Sequence, residues 1–266
     1  MWLTTTDRPT TLIARIATRW LQPWWQIVHL SALVLALAVS PSTYTRDARP
    51  LRARHLVAAT LPVLPWFTLL AALASVVIVR IVLVTALSYG LTQYALEMVV
   101  RVLVLELIPL SAGLFVALRW AIPAGSTLAA MRRDGLLARL RQQHVDVLRT
   151  EILPRALAGM FAVALLAGLS GALALLLAYV LAHGFSPWGL DGYSRMVGHV
   201  FSPAVTLVFV LKTMALMLAV ALLPIGSALH DPEAAQGPAP AQLQGLVRLA
   251  TAILLIEVGS LMINYA

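Results

Sequence analysis

Arg101 and Glu106 in one apolar stretch, Lys212 in a second and Glu257 in a third are ionisable groups placed where water is scarce. An ionisable side chain at bilayer depth costs about 2.5 kcal/mol or more, so such groups pair with one another or face a polar cavity. On a helix, five residues separate Arg101 from Glu106 by about 140° round the axis, which points to partners on other helices. One ammonium between two carboxylates reduces the cost of burying all three, so Lys212 between Glu106 and Glu257 is a chemically sensible arrangement. Two roles fit it. One is a structural ion network that locks helix packing; the other is a network of Arg101, Glu106, Lys212 and Glu257 that lines or gates a cavity and binds an anionic group through Lys212 or Arg101.

The elements that must position these groups follow from composition. The 266 residues are 61% hydrophobic and only 11% charged, with a mean hydropathy of +0.89, so the chain is expected to be an all-α polytopic membrane protein. Cysteine is absent, which excludes disulfides, thiolate metal sites and a Cys nucleophile. The formal charge is +8 with Lys212 the only lysine, an excess that reads first as a topology signal and only weakly as nucleic-acid binding. The six histidines show no metal-ligand spacing. No Ser-His-Asp set, paired-carboxylate pattern or G-x-x-x-x-G-K-[ST] phosphate loop occurs.

Five apolar stretches predict spans at about residues 61–88, 94–118, 156–182, 200–227 and 244–265. Ahead of them, residues 8–25 mix Arg8, Arg15 and Arg19 with Trp20, Trp24 and Trp25, which suits an interfacial helix broken near Pro23. The run 27–39 is only 13 residues and fits a re-entrant or monotopic segment, with a signal peptide cleaved after Ala36-Leu37-Ala38 as the rival reading. Residues 40–57 read as a basic loop, which divides the chain into an N-terminal part, 1–57, and a five-helix part, 58–266. Both that loop and the Arg-rich stretch 119–155 are assigned to the cytoplasm by the positive-inside rule, leaving the C-terminus outside. Within that stretch, 131–148 alternates Arg with Leu137, Leu140 and Leu148 and predicts one basic amphipathic helix, which composition fits equally to a groove of a partner protein or to the anionic lipids of the inner leaflet. Arg80 is placed to snorkel to the outer headgroups. Ala164, Ala167, Gly168, Gly171 and Ala174 predict close helix packing in the third span.

Leu105-Glu106-Leu107-Ile108-Pro109, Arg119, Met131-Arg132, Val145-Asp146, Leu148-Arg149 and Pro154-Arg155 occur in an order and spacing that resembles the MlaE/YrbE family of lipid-transporting ABC permeases. Val210-Leu211-Lys212-Thr213 looks like that family's L-I-K-S, and Glu257 falls where its last span is acidic. The resemblance implies a bacterial inner-membrane permease that dimerises with itself or a paralogue and moves phospholipid to or from a periplasmic MCE-domain protein. It further implies that ATP and Mg are bound by a cytoplasmic ABC ATPase seated on the 119–155 segment, with Arg132, Arg133, Leu137, Leu140 and Arg141 as the coupling residues and no cofactor in this chain. Glu106, Lys212 and Glu257 match ionisable positions near the family's lipid pocket, so the resemblance implies that the cavity they and Arg101 line or gate holds lipid and that the anionic group bound through Lys212 or Arg101 is a headgroup phosphate.

The chain departs from the pattern in places. Leu105 stands where the family has Arg, which makes Arg101, one turn earlier, a candidate substitute. Trp120 and Ala121 replace small residues, Thr127 replaces a Glu, and Gly135-Leu136 replace a Glu-Gln pair. These losses leave a degenerate structural permease in a heterodimer as an alternative. A proton-coupled secondary transporter built on Glu106 and Glu257 is the third function class, and no inverted repeat supports it.

Overall fold

The computed structural model describes residues 25–40, 49–90, 92–230 and 238–265, all in helices and short turns. The interfacial helix expected over 8–25 therefore lies, apart from Trp25, outside the described residues. Five helical stretches are long and apolar enough to cross a membrane: Pro50–Tyr89, Tyr94–Arg133, Leu148–His183, Pro203–His230 and Gly245–Asn264. The chain is an all-α polytopic membrane protein.

α1 (Trp25–Val39) buries Ile27, Leu30 and Val34 at three- and four-residue spacing and leaves Val28, Leu33 and Leu35 exposed. Its 15 residues reach only about 22 Å, too short to cross the roughly 30 Å hydrocarbon layer. Of the basic loop expected over 40–57, residues 49–57 are instead helical, as part of α2 (Arg49–Thr60). Pro50 is tolerated in its first turn, and Arg52 and Ala59, seven residues apart, are buried on one side of the helix. α3 (Leu64–Tyr89) follows after one turn, exposing Leu69, Leu73, Val77, Ile81 and Val84 on the face suited to lipid.

The second span is longer than the apolar run 94–118. It continues to Arg133 as α4 (Thr92–Val100), α5 (Ile108–Val116) and α6 (Ile122–Arg133), joined by π-helical segments Arg101–Leu107 and Ala117–Ala121. A third π segment, Leu148–Ile152, opens α8 (Leu153–His183). Each π segment ends two residues before a proline: Pro109, Pro123 and Pro154. A proline cannot donate to the carbonyl four residues back, and the wider i→i+5 pattern lets the helix pass without breaking.

The amphipathic helix expected over 131–148 is in fact two pieces. α6 ends at Arg133, Gly135 turns the chain with φ +70°, and the short α7 (Leu136–Gln142) closes before His144. The segment 183–199, between the third and fourth predicted spans, carries most of α9 (Leu190–Val200), which buries Tyr193 and Val200 on one face. α10 (Pro203–His230) and α11 (Pro238–Tyr265) complete the bundle.

The core has three zones. Leu30, Val34, Leu128, Leu137, Ile152 and Ile225 fill the α6–α7 end. Phe67, Val116, Ala162, Leu166, Leu216 and Ile253 fill the middle. Val79, Val100, Leu105, Ala174 and Tyr193 fill the α9 end. In α8 only part of the small-residue stripe packs: Ala167, Gly171 and Ala174 are buried, whereas Ala164 and Gly168 are exposed.

Candidate functional site

Glu106 lies on the first π segment, Lys212 a third of the way along α10, and Glu257 eight residues before the end of α11. Three separate helices thus meet at one ammonium. Lys212 Nζ donates to Glu106 Oε2 and lies 2.6 Å from Glu257 Oε2. Its third contact is the Leu105 carbonyl at 3.4 Å. That carbonyl is the one Pro109, four residues on, has no N–H to reach. The proline that produces the π segment therefore also leaves an acceptor for the lysine. An ammonium has three donors, and all three are used.

The Lys212 side chain is 1% exposed, with Glu106 at 12% and Glu257 at 15%. Each carboxyl group engages Lys212 through one oxygen, while Glu106 Oε1 and Glu257 Oε1 are buried without a hydrogen-bond partner. Ser260, one turn beyond Glu257, is also buried with its hydroxyl unpartnered. The cluster thus holds one cation against two carboxyl groups and keeps acceptor capacity in reserve. A buried pair stripped of one partner costs about 3–5 kcal/mol, so these contacts hold α10 and α11 to the second span whatever else they do.

Arg101 does not join them. Its Nη2 lies 3.4 Å from Glu97 Oε1, one turn back on the same span, and both side chains are more than a quarter exposed. Glu97 Oε1 also lies 3.5 Å from His199 Nδ1 of α9. The membership of Arg101 in the buried network, and its substitution for an arginine at 105, are therefore corrected: Leu105 is buried in the core, and Arg101 pairs with Glu97 of α4. Arg80 is exposed on α3.

At the opposite end, Arg132, Arg133 and Arg141 are exposed, Leu137 is buried, and Leu140 packs against the same core zone. Arg132 Nη1 donates to the Ala228 carbonyl at 3.4 Å, tying α6 to the end of α10. Sequence reasoning missed a second contact nearby. Trp120 Nε1 donates to the Arg155 carbonyl at 3.2 Å, and the Arg155 guanidinium folds back onto Glu151, donating to its carbonyl at 2.6 Å. The Trp120 ring also meets His55 of α2 edge-on at 6.1 Å. Its only signal was a tryptophan where a small residue was expected. Glycine matters once here: a β-carbon on Gly125 would sit 2.7 Å from the Pro224 carbonyl, so α6 and α10 touch backbone to backbone.

Among the described residues, no group of His, Asp or Glu is arranged to hold a metal. The comparison with curated proteins gave no match. Residues 53–263, which run from within α2 to within two residues of the end of α11 and include the whole lysine–carboxylate cluster, match the family described as Permease MlaE. Five apolar spans closed round a buried ion cluster, matched over most of the chain to that family, make this protein an ABC-type permease of lipid transport that belongs to the MlaE permease family.

Proposed function

We propose that this permease moves phospholipid between the bacterial inner membrane and a periplasmic MCE-type carrier, powered by a separate cytoplasmic ATPase seated on the α6–α7 end. In this reading the N-terminal side and the Arg-rich 119–155 segment face the cytoplasm and the C-terminus faces the periplasm. Two permease chains, identical or paralogous, complete the membrane unit. The observation that carries the reading is the Glu106–Lys212–Glu257 cluster within a chain matching a lipid-permease family.

Lys212 is the pivot. Its three donors are occupied, so a headgroup phosphate reaches it only by displacing one of these contacts, and displacing a carboxylate would shift α11 or the second span. The cluster then works as a latch rather than an open anion site. Arg101, paired with Glu97 outside the latch, has no part in it. Replacing Lys212 with Ala and measuring both complex assembly and lipid transfer tests this: an assembled complex with transfer abolished is expected. Unchanged transfer by an intact complex would reduce the cluster to packing alone.

A second reading rests on the broken α6–α7 connection. Gly135 and its left-handed turn stand where the family pattern expects a Glu-Gln pair opening a coupling helix, which favours a structural subunit beside a fuller paralogue. A native pull-down with lipid mass spectrometry separates the two. A homodimer carrying two ATPases and phospholipid supports the transporter, and an obligatory second permease supports the structural subunit.

A further inference from the structure

A cavity of about 720 Å³ opens at the α6–α7 end, between α1, α7, the start of α8 and the last turn of α10. This is within the size range of small-molecule sites. Its floor is apolar, with Leu30 from α1, Leu137 from α7 and Ile152 ahead of α8. Among the described residues, its rim carries Arg132, Arg141, His144 and His230 against one carboxylate, Asp146.

That carboxylate is already engaged. Asp146 Oδ1 accepts the Leu148 backbone N–H at 3.0 Å, capping the segment that opens α8, and Oδ2 pairs with Arg149 Nε at 3.3 Å. Arg132 is anchored through the Ala228 carbonyl, and His230 Nδ1 lies 3.0 Å from the Gly226 carbonyl, which leaves Nε2 as the ring nitrogen for other contacts. Arg141 is exposed, and no ion pair joins it to another described residue.

His144 supplies the independent observation. Among the described residues it is the one non-glycine with positive φ, at 59°. It closes α7: Val145 N–H reaches the Leu140 carbonyl and His144 N–H the Arg141 carbonyl, each at 3.0 Å. Glycine is favoured at this C-terminal position because a β-carbon there is strained. An imidazole is kept at a cost, and it lines the cavity.

We propose that this cavity binds the phosphate of an anionic phospholipid headgroup, with Arg132 and Arg141 as donors, His144 beside them, and the apolar floor taking the glycerol and first methylenes. The exposed apolar face of α1, Val28, Leu33 and Leu35, places the floor beside lipid. Binding needs neither ATPase nor turnover, so it stands apart from the transport reading.

The test is calorimetric titration of the full chain in detergent with short-chain phosphatidylglycerol, short-chain phosphatidylcholine and inorganic phosphate. Phosphatidylglycerol is expected to bind best, and Arg141→Gln to weaken it about tenfold or more. His144→Gly is expected to weaken binding while leaving the thermal midpoint equal or higher, because it relieves the backbone. That variant keeps the proposal falsifiable: a stabilised His144→Gly with unchanged affinity overturns it. Inorganic phosphate binding as tightly as phosphatidylglycerol would assign the site to free phosphate, and equal affinity for phosphatidylcholine would mean that the rim does not read net charge. Both results overturn the lipid assignment. Lost ATPase retention in Arg141→Gln with unchanged lipid affinity would sink this site and leave the coupling role standing.

Discussion

The lysine–carboxylate cluster and the α6–α7 end both concentrate charge, under opposite conditions. In the cluster, one cation spends every donor on groups from other parts of the fold, and the side chains are almost wholly hidden. At the α6–α7 end several arginines are exposed, and the backbone takes two left-handed turns, at Gly135 and His144. Charge buried in the apolar interior has no solvent alternative, so its partners and geometry are over-determined. Charge at the end can exchange water for a ligand or partner chain, which suits recognition and contributes little to stability. In the proposed reading, holding falls to the buried cluster and recognition to the α6–α7 end.

The largest test of that division is Lys212→Ala. It leaves two buried carboxyl groups without their cation, and a stability loss of about 3–5 kcal/mol is expected in detergent unfolding. The apolar triple variant Glu106→Leu, Lys212→Met, Glu257→Leu should recover most of the loss, because the desolvation cost of the charges disappears with them. A loss under about 1 kcal/mol from Lys212→Ala would break the comparison.

The α9 end supplies the next effect through pH. Burial pushes the Tyr193 phenol from 10.0 up to about 12, and its hydroxyl donates to the Leu175 carbonyl at 2.7 Å. The folded state therefore keeps a proton that the unfolded chain releases, so stability falls as pH rises from 10 to about 12, by at most about 1.4 kcal/mol per pH unit. Tyr193→Phe should flatten this slope; an equal slope in the variant would assign the loss elsewhere.

Gly125→Ala comes third. Its β-carbon would meet the Pro224 backbone, and pushing α6 off α10 should cost about 1–3 kcal/mol, read as a lowered thermal midpoint. Smallest in stability is Arg133→Gln, on the exposed end, where a change within about 0.5 kcal/mol is expected. Its readout is ATPase retention on co-purification, which should fall. A destabilised Arg133→Gln protein would show that this end also holds the fold together.

Much of this was legible in the chain itself. Apolar run lengths located all five spans to within a few residues at most ends, and isolated charges in three of them pointed to Lys212 bridging two carboxylates. Other features were not. α2 and α9 became helical because they found surfaces to bury against, which local polarity does not reveal. The expected helix over 131–148 failed at Gly135, where the amphipathic pattern outweighed the turn residue in the reading but not in the structure.

What the sequence alone determined was class and inventory: a cysteine-free, five-span chain with a few ionisable residues too deep to be left unpaired. Those conclusions rest on transfer costs, which depend on residue type and run length. Only the tertiary structure decided which charges meet. Arg101 and Glu106 share a segment yet part company, while Lys212 crosses 106 positions to reach Glu106. The reason is the packing of α10 and α11 against a helix widened ahead of Pro109, which exposes the Leu105 carbonyl and sets Glu106 beside the lysine.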